Sequence, residues 1–414
     1  MSADDALKSP KTLYSAPTEF RPAFCSLLLD PVTGEYDLGY SSFNGLPNEP
    51  DNVLRIPTVT QNYLDKTKMV SQVITNTIVW PNEIESVPYG TFGNSHYWTS
   101  ASAFFMPGQD DGSISLIDMT DPTNPGQPIK ISSTEDNKEW YYHRVIWHDM
   151  DLDGDYDAVT ARAYGNSTSA DESQLVWFEN SGVNPPTEFW KAHVISTGYE
   201  DVHFRIHNLP LPDGSETAVI ISGGFFSRSL TLTWTTGGDW SNTASIHHRV
   251  IDTAGWYFDL KIEDLNADGK DDILITTWSR PGPDIGSLLA YEMPEGDWRT
   301  DEWTRHVIST DFHDDISPGS GSPGAPAPFW RSTTSKENGE KAHLLVSGDD
   351  DGQAYLLVPN TEDPSDWSYT KSTIFRAFGT VGTMAIGDVD GDGYTEIFIP
   401  AYNTKQIIVL TYKP

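Results

Sequence analysis

Asp149-Met150-Asp151-Leu152-Asp153-Gly154-Asp155-Tyr156-Asp157 decides the reading of this chain, because the same phrase occurs three times. The second copy is Asp264-Leu265-Asn266-Ala267-Asp268-Gly269-Lys270-Asp271-Asp272, and the third is Asp388-Val389-Asp390-Gly391-Asp392-Gly393-Tyr394-Thr395-Glu396. Each places carboxylate or amide groups at positions 1, 3, 5 and 9 and glycine at position 6. Alternate residues of a tight loop can turn their oxygens inward around a hard cation such as Ca²⁺, and the carbonyl of position 7 (Asp155, Lys270, Tyr394) adds another oxygen. Glycine permits the sharp turn. A helix-flanked calcium loop would need a bidentate glutamate at position 12. Here extended, β-rich runs flank each loop instead: Val145-Ile146-Trp147 and Ala158-Val159-Thr160 around the first, Leu260-Lys261-Ile262 and Ile273-Leu274-Ile275 around the second. The spacing therefore predicts three hairpins clipped by structural Ca²⁺, with a solvated acidic turn as the bland alternative for any single copy.

Working outward, a strand follows each loop and recurs even where the loop is lost. Its copies begin at Ser113, Gln174, Ser229, Ser287, Ala354 and Ile407, spaced 61, 55, 58, 67 and 53 residues apart. A further phrase, aromatic…His/Lys-x-Ile, marks an outer strand at Trp190–Ile195, His248–Ile251 and Trp303–Ile308. A period near 60 residues with several strands and no helical stretch is the signature of a β-propeller with one four-stranded sheet per blade. The fold class is all-β. Six blades are legible from about residue 70. Strand-like runs at 24–29, 36–40 and 53–56 supply most of a seventh, closed by the other terminus. The expected organisation is an N-terminal arm, residues 1–18, and one propeller domain, residues 19–414. Two blades keep only ordinary turns, at Asn208–Glu216 and Lys336–Glu340.

Composition excludes several classes. With 26 basic and 60 acidic residues, net charge −34, the chain is a poor partner for nucleic acid or an anionic membrane. Aromatic residues make up 12%, too many for a disordered acidic chain. No apolar run reaches the roughly 18 residues that a spanning helix needs. Cys25 is the single cysteine, so no internal disulfide forms. The start, Met1-Ser2-Ala3-Asp4-Asp5, lacks the basic and apolar regions of a signal peptide, which leaves localisation open between an intracellular protein and one whose leader has been removed. Asn166-Ser167-Thr168 is a sequon of little weight in a chain this long.

The three loops, together with Gly324-Ala325-Pro326 before a blade, resemble the FG-GAP/VCBS-repeat propellers, a family that includes integrin α-subunit heads and fungal lectins. That resemblance implies Ca²⁺ between the first two strands of a blade, on the face opposite the ligand face. The phrase Trp303-x-x-His306-Val307-Ile308 is similar to the propeller part of fungal aldos-2-ulose dehydratase. More loosely, the chain is similar to fungal hetero-Diels–Alderases of secondary metabolism, a link with no diagnostic motif.

If the ligand face lies opposite the acidic loops, site residues sit early on the inner strands or in the turns between second and third strands. Aligning inner strands on the first loop position gives a column of Arg144, His203 and Asp259, and a second of Ile146, Arg205 and Lys261. Alternation with apolar neighbours puts one set in the blade and the other elsewhere. Charges on such strands are costly unless paired or watered. Arg144, His203, Arg205, Asp259 and Lys261 are therefore the candidate catalytic set, against the alternative of ion pairs between blades. His143 is set aside because its column partners, Val202 and Phe258, are apolar. Candidate ligand-binding residues are Tyr164, Phe225, Phe226, Arg228, Trp278, Arg280 and Tyr402 in the turns, with Trp98 from another blade. Aromatic faces beside arginines can stack a planar or sugar ligand. No nucleophile elbow, P-loop, Rossmann fingerprint or zinc motif occurs, and nothing points to a redox cofactor. The expected activity is non-redox chemistry on a small molecule: a lyase, isomerase or cyclisation (cycloaddition) catalyst. The rivals are a carbohydrate-binding lectin and a protein-binding scaffold. Rim residues that differ from blade to blade favour one asymmetric site over repeated sugar sites.

Overall fold

The structure, a computed structural model, describes residues 9–44, 50–103, 112–133, 138–166, 169–184, 186–187, 189–279, 285–312 and 320–414. Seven antiparallel four-stranded sheets follow one another. Six use four consecutive strands each, as in Tyr141–His148, Asp157–Asn166, Ser169–Glu179 and Lys191–Thr197 of blade 3. The inner strands are Cys25–Leu29, Pro81–Ser86, Tyr141–His148, His203–Pro210, Tyr257–Glu263, Pro326–Phe329 and Ala385–Gly387 for blades 1 to 7. All six runs picked out by the repeat are third strands, and the His/Lys-x-Ile phrases are outer strands.

Closure differs from the expectation. Blade 1 is complete in itself, with Asn52–Ile56 and Gln72–Thr75 as its third and outer strands. Blade 7 takes its outer strand from the N-terminus: Lys11–Pro17 pairs with Gln406–Thr411, from Lys11↔Thr411 to Pro17↔Gln406. The part Lys11–Pro17 of the segment expected as an arm is thus a strand of the propeller. Its inward side chains explain this: Ala16 is buried among Leu38, Tyr40, Phe398 and Val409, with Tyr14 packed against the same cluster. Pairing the two ends of the chain closes the ring, with Lys11–Pro17 covering the open side of Gln406–Thr411.

The core lies between blades. Alternate residues of each strand face the neighbouring sheet, so that Ile221, Leu232, Leu260 and Ile275 interdigitate between blades 4 and 5. Charged groups appear on the inner strands of blades 2 to 5, and the sheet geometry changes there. The pairing of inner and second strands shifts register between Pro81 and Ile84, between Tyr142 and Val145, and between Tyr257 and Leu260. Such bulges re-aim side chains that a regular strand would send into the blade.

Candidate functional site

Three of these bulges, with the start of the blade 4 strand, bring Glu83, His143, Arg144, His203 and Asp259 together at the propeller axis. Arg144 is the hub. Its Nε and Nη2 donate to Glu83 Oε2 and Oε1 at 2.6 and 2.7 Å, and Nη1 donates to Asp259 Oδ1 at 2.8 Å. The guanidinium is 1% exposed, and its partners are 6% and 1% exposed. Burial alone would raise both carboxyls, but Arg144 holds Glu83 and Asp259 well below the usual carboxylate range. Arg205 lies at the edge of this network, its Nη2 4.0 Å from Asp259 and its Nε donating to the Leu260 carbonyl at 3.2 Å.

Two imidazoles flank Glu83. His143 Nδ1 is 3.6 Å and His203 Nε2 3.7 Å from Glu83 Oε1, and the rings meet edge to face with centroids 4.2 Å apart. Nδ1 of each ring is buried without a hydrogen-bond partner. Burial pushes both below the ordinary histidine value, and the neighbouring His203 ring further disfavours charge on His143. Both are therefore neutral near pH 7.

Aromatic side chains surround the pair at the end of the channel opposite the acidic loops, the upper end. Phe24 stands edge-on to His143 at 5.0 Å, and Phe258 lies 5.2 Å from His203. On one side the arc continues through Phe43, stacked on Trp80 at 4.4 Å and 5.7 Å from Tyr402. On the other side Phe225 contacts Phe226, Trp256 and Trp278 at 5.1, 5.3 and 5.5 Å. Asp201 shapes that loop by accepting the backbone N–H groups of Phe225, Phe226 and Ser227 at 2.6–3.0 Å. Arg228 lies over Trp256, and Trp278 Nε1 donates to Asp349 at 3.1 Å.

The expected site residues thus divide. His203, Arg144 and Asp259 meet at the axis, with Arg205 beside them, while Phe225, Phe226, Arg228, Trp278 and Tyr402 belong to the aromatic arc. Tyr164 joins a separate group, edge-on to Trp140 at 5.3 Å with Lys138 above it. Trp98 corrects the expectation: it is 1% exposed in the core between blades 1 and 2, because it sits at the start of a second strand, at the lower end. Arg280 lies outside the described residues. His143, set aside above, belongs to the cluster because the bulge offsets the column. Glu83 was missed because blade 2 has no acidic loop to anchor an alignment. The signal was present all the same: 83, 143 and 203 are one blade period apart.

Lys261 points elsewhere. It lines a cavity of about 610 Å³ at the lower end of the channel, with Glu263, Phe329, Trp330, Lys336 and Met384. Burial, then Arg205, lowers its amine to about 8. Of its charged walls, Lys336 is matched, 3.4 Å from Glu263 and lying over Trp330. Converging unsatisfied groups, rather than volume, single out the upper end.

The acidic loops repeat one geometry. Position 1 accepts the position 6 N–H: Asp149 from Gly154 at 3.1 Å, Asp264 from Gly269 at 3.0 Å and Asp388 from Gly393 at 2.8 Å. Position 5 accepts from position 7, as Asp153 does from Asp155, Asp268 from Lys270 and Asp392 from Tyr394, all at 2.9 Å. The position 6 glycines have φ of 98°, 89° and 89°. Position 9 (Asp157, Asp272, Glu396) is buried and accepts the position 2 N–H at 2.9–3.2 Å, stapling the loop to its blade. Asp149, Asp151 and Asp157 converge, as do Asp388, Asp390 and Glu396. Asp149 Oδ1 is buried without a partner, so the first loop fits a cation. In the third, Lys413 Nζ already reaches Asp392 at 2.5 Å and Asp390 at 3.3 Å. In the second, Asn266 and Asp268 hold the same turn.

No protein-family model and no curated protein matches the chain. Among solved structures it is similar to the Dos1 propeller, at 10% identity and a TM-score of 0.47 over 96% of both chains. It is also similar to the PQQ-bound aldose sugar dehydrogenase of Streptomyces coelicolor, at 13% identity and 0.44 over 97% of both.

Proposed function

We propose that this propeller is a non-redox small-molecule enzyme of the lyase, isomerase or cyclisation (cycloaddition) type, working at the upper end of its channel. The observation that carries the reading is the pair His143–His203: two buried imidazoles with unpartnered nitrogens, set against Glu83 beneath an aromatic arc. A fold stabilised by packing alone does not gain from orphaned buried polar atoms. The arc offers faces for an apolar or planar ligand, and the floor offers lone pairs. Those lone pairs can take a proton from the ligand or hold a cation that polarises it. Arg144 and Asp259 keep the floor rigid, and Arg205 supplies positive charge near any developing oxyanion. The acidic loops serve the fold: we assign Ca²⁺ to blade 3, held by Asp149, Asp151, Asp153 and the Asp155 carbonyl, with weaker cases in blades 5 and 7.

Calorimetric titration of the calcium-loaded protein with mono- and disaccharides separates this reading from a lectin. One site or none per chain is expected. Several equivalent sugar sites would make the protein a lectin and the axial charges structural.

A further inference from the structure

Glu83, His143 and His203 stand on the adjacent inner strands of blades 2, 3 and 4. The separations of Glu83 Oε1 from the two imidazole nitrogens, 3.6 and 3.7 Å, exceed hydrogen-bonding range. They are close to the spacing of about 3.0–3.5 Å between neighbouring donors around an ion with bonds of about 2.1 Å. One ligand atom from each of the three residues falls within 4.8 Å of the others, and all three side chains are buried. We propose that Glu83, His143 and His203 form a site for one divalent transition-metal ion in the floor of the bowl.

The donor set decides the class of ion. Two imidazoles and one carboxylate suit zinc, iron, cobalt or manganese, whereas Ca²⁺ takes oxygen donors alone, as the acidic loops offer. Arg144 does not compete for the site. Each carboxylate oxygen has two lone-pair positions, and the bonds from Arg144 Nε and Nη2 take one on each. The other on Oε1 faces the imidazoles. Arg144 then plays the part that outer hydrogen-bond partners play around metal ligands, fixing the carboxylate plane. Three protein donors leave positions open, as in catalytic rather than structural sites. Phe24 and Phe258 border the two imidazoles. The inference rests on the bowl reading only for what the ion would act upon.

The test uses the full chain, stripped with EDTA, saturated with Ca²⁺ to occupy the acidic loops, and titrated with Co²⁺ by calorimetry and visible absorption. The expected result is one Co²⁺ per chain, with ligand-field bands, displaced by Zn²⁺. His143→Ala and His203→Ala should each weaken binding at least about a hundredfold while keeping a cooperative melt. X-ray absorption on the Zn²⁺-loaded wild type gives a readout that survives misfolding of a variant, and should show two imidazoles around the ion. No Co²⁺ retained against Ca²⁺, equal retention in both variants, or an oxygen-only coordination sphere would overturn the inference. Ligand binding to the metal-free protein is scored separately: ligand bound without any metal site refutes this inference alone, and a metal site with no ligand bound refutes the bowl.

Discussion

Replacing Arg144 with methionine tests how the axial cluster is held. The substitution keeps most of the buried volume and removes three charge-assisted hydrogen bonds of 2.6–2.8 Å. It leaves Glu83 and Asp259 as two carboxylates that are 6% and 1% exposed, with their main counter-charge gone. Breaking one buried pair costs about 3–5 kcal/mol, and two stranded partners put Arg144→Met at the upper end, about 5 kcal/mol. A chain of 414 residues has an unfolding entropy of about 0.9 kcal/mol/K, from about 2.1 cal/mol/K per residue, so the melting temperature should fall by about 6 °C. Differential scanning calorimetry reads this directly. Adding Glu83→Gln and Asp259→Asn removes the stranded charges and should recover at least half of the loss. A single variant melting within about 1 °C of wild type, or a triple variant no better than the single, would refute the ion-pair account.

Other expectations follow from the same geometry. Glu200 is buried beside Ser196 and Thr233, next to Asp201, and burial raises its carboxyl to about 7. Its folded value lies above its unfolded one, so the folded state binds the extra proton: this stabilisation is full below about 4.5 and is lost as pH rises through 7. The size is about 3 kcal/mol, and urea midpoints at pH 5 and pH 8 should converge in Glu200→Gln relative to wild type. Chelation with EGTA should lower the melting temperature, and elemental analysis should find calcium; an unchanged melt with no metal removes the cation from the loops. Deleting residues 1–17 strips the outer strand from blade 7 and should give a sharply lower melting temperature and proteolysis in that blade. With its amine at about 8, Lys261 should be acylated ahead of the other lysines at pH 8 when peptides are mapped by mass spectrometry.

The propeller was legible because its signals are local and repeated. Third strands and acidic turns depend on short runs of sequence, and one period counted along the chain gives the blade count. Closure was half legible: the meeting of the two termini was expected, but nothing in Lys11–Pro17 names Gln406–Thr411 as its partner. The axial site was half legible for a related reason. Arg144, His203 and Asp259 fall in one column when strands are aligned on the loops, but bulges at Asn82–Glu83, His143–Arg144 and Phe258–Asp259 shift the facing residue by one. A register shift of one residue exchanges the faces of a strand, which is why His143 read as a packing position. Trp98 misled for the opposite reason: an aromatic near polar residues looks like a rim, and only the strand direction shows it to be core.

The central claim is that one asymmetric bowl at the His143–His203 pair does chemistry on a single small molecule. The most direct measurement is product formation from a panel of conjugated and β-hydroxy carbonyl compounds, followed by mass spectrometry for wild type, His203→Ala and Phe225→Ala. The account predicts conversion of at least one compound to an isomer or to a product lighter by one water. It also predicts that His203→Ala slows the reaction about a hundredfold or more and that Phe225→Ala chiefly raises KM. Conversion indifferent to both substitutions, or binding at several equal sites without conversion, would contradict it.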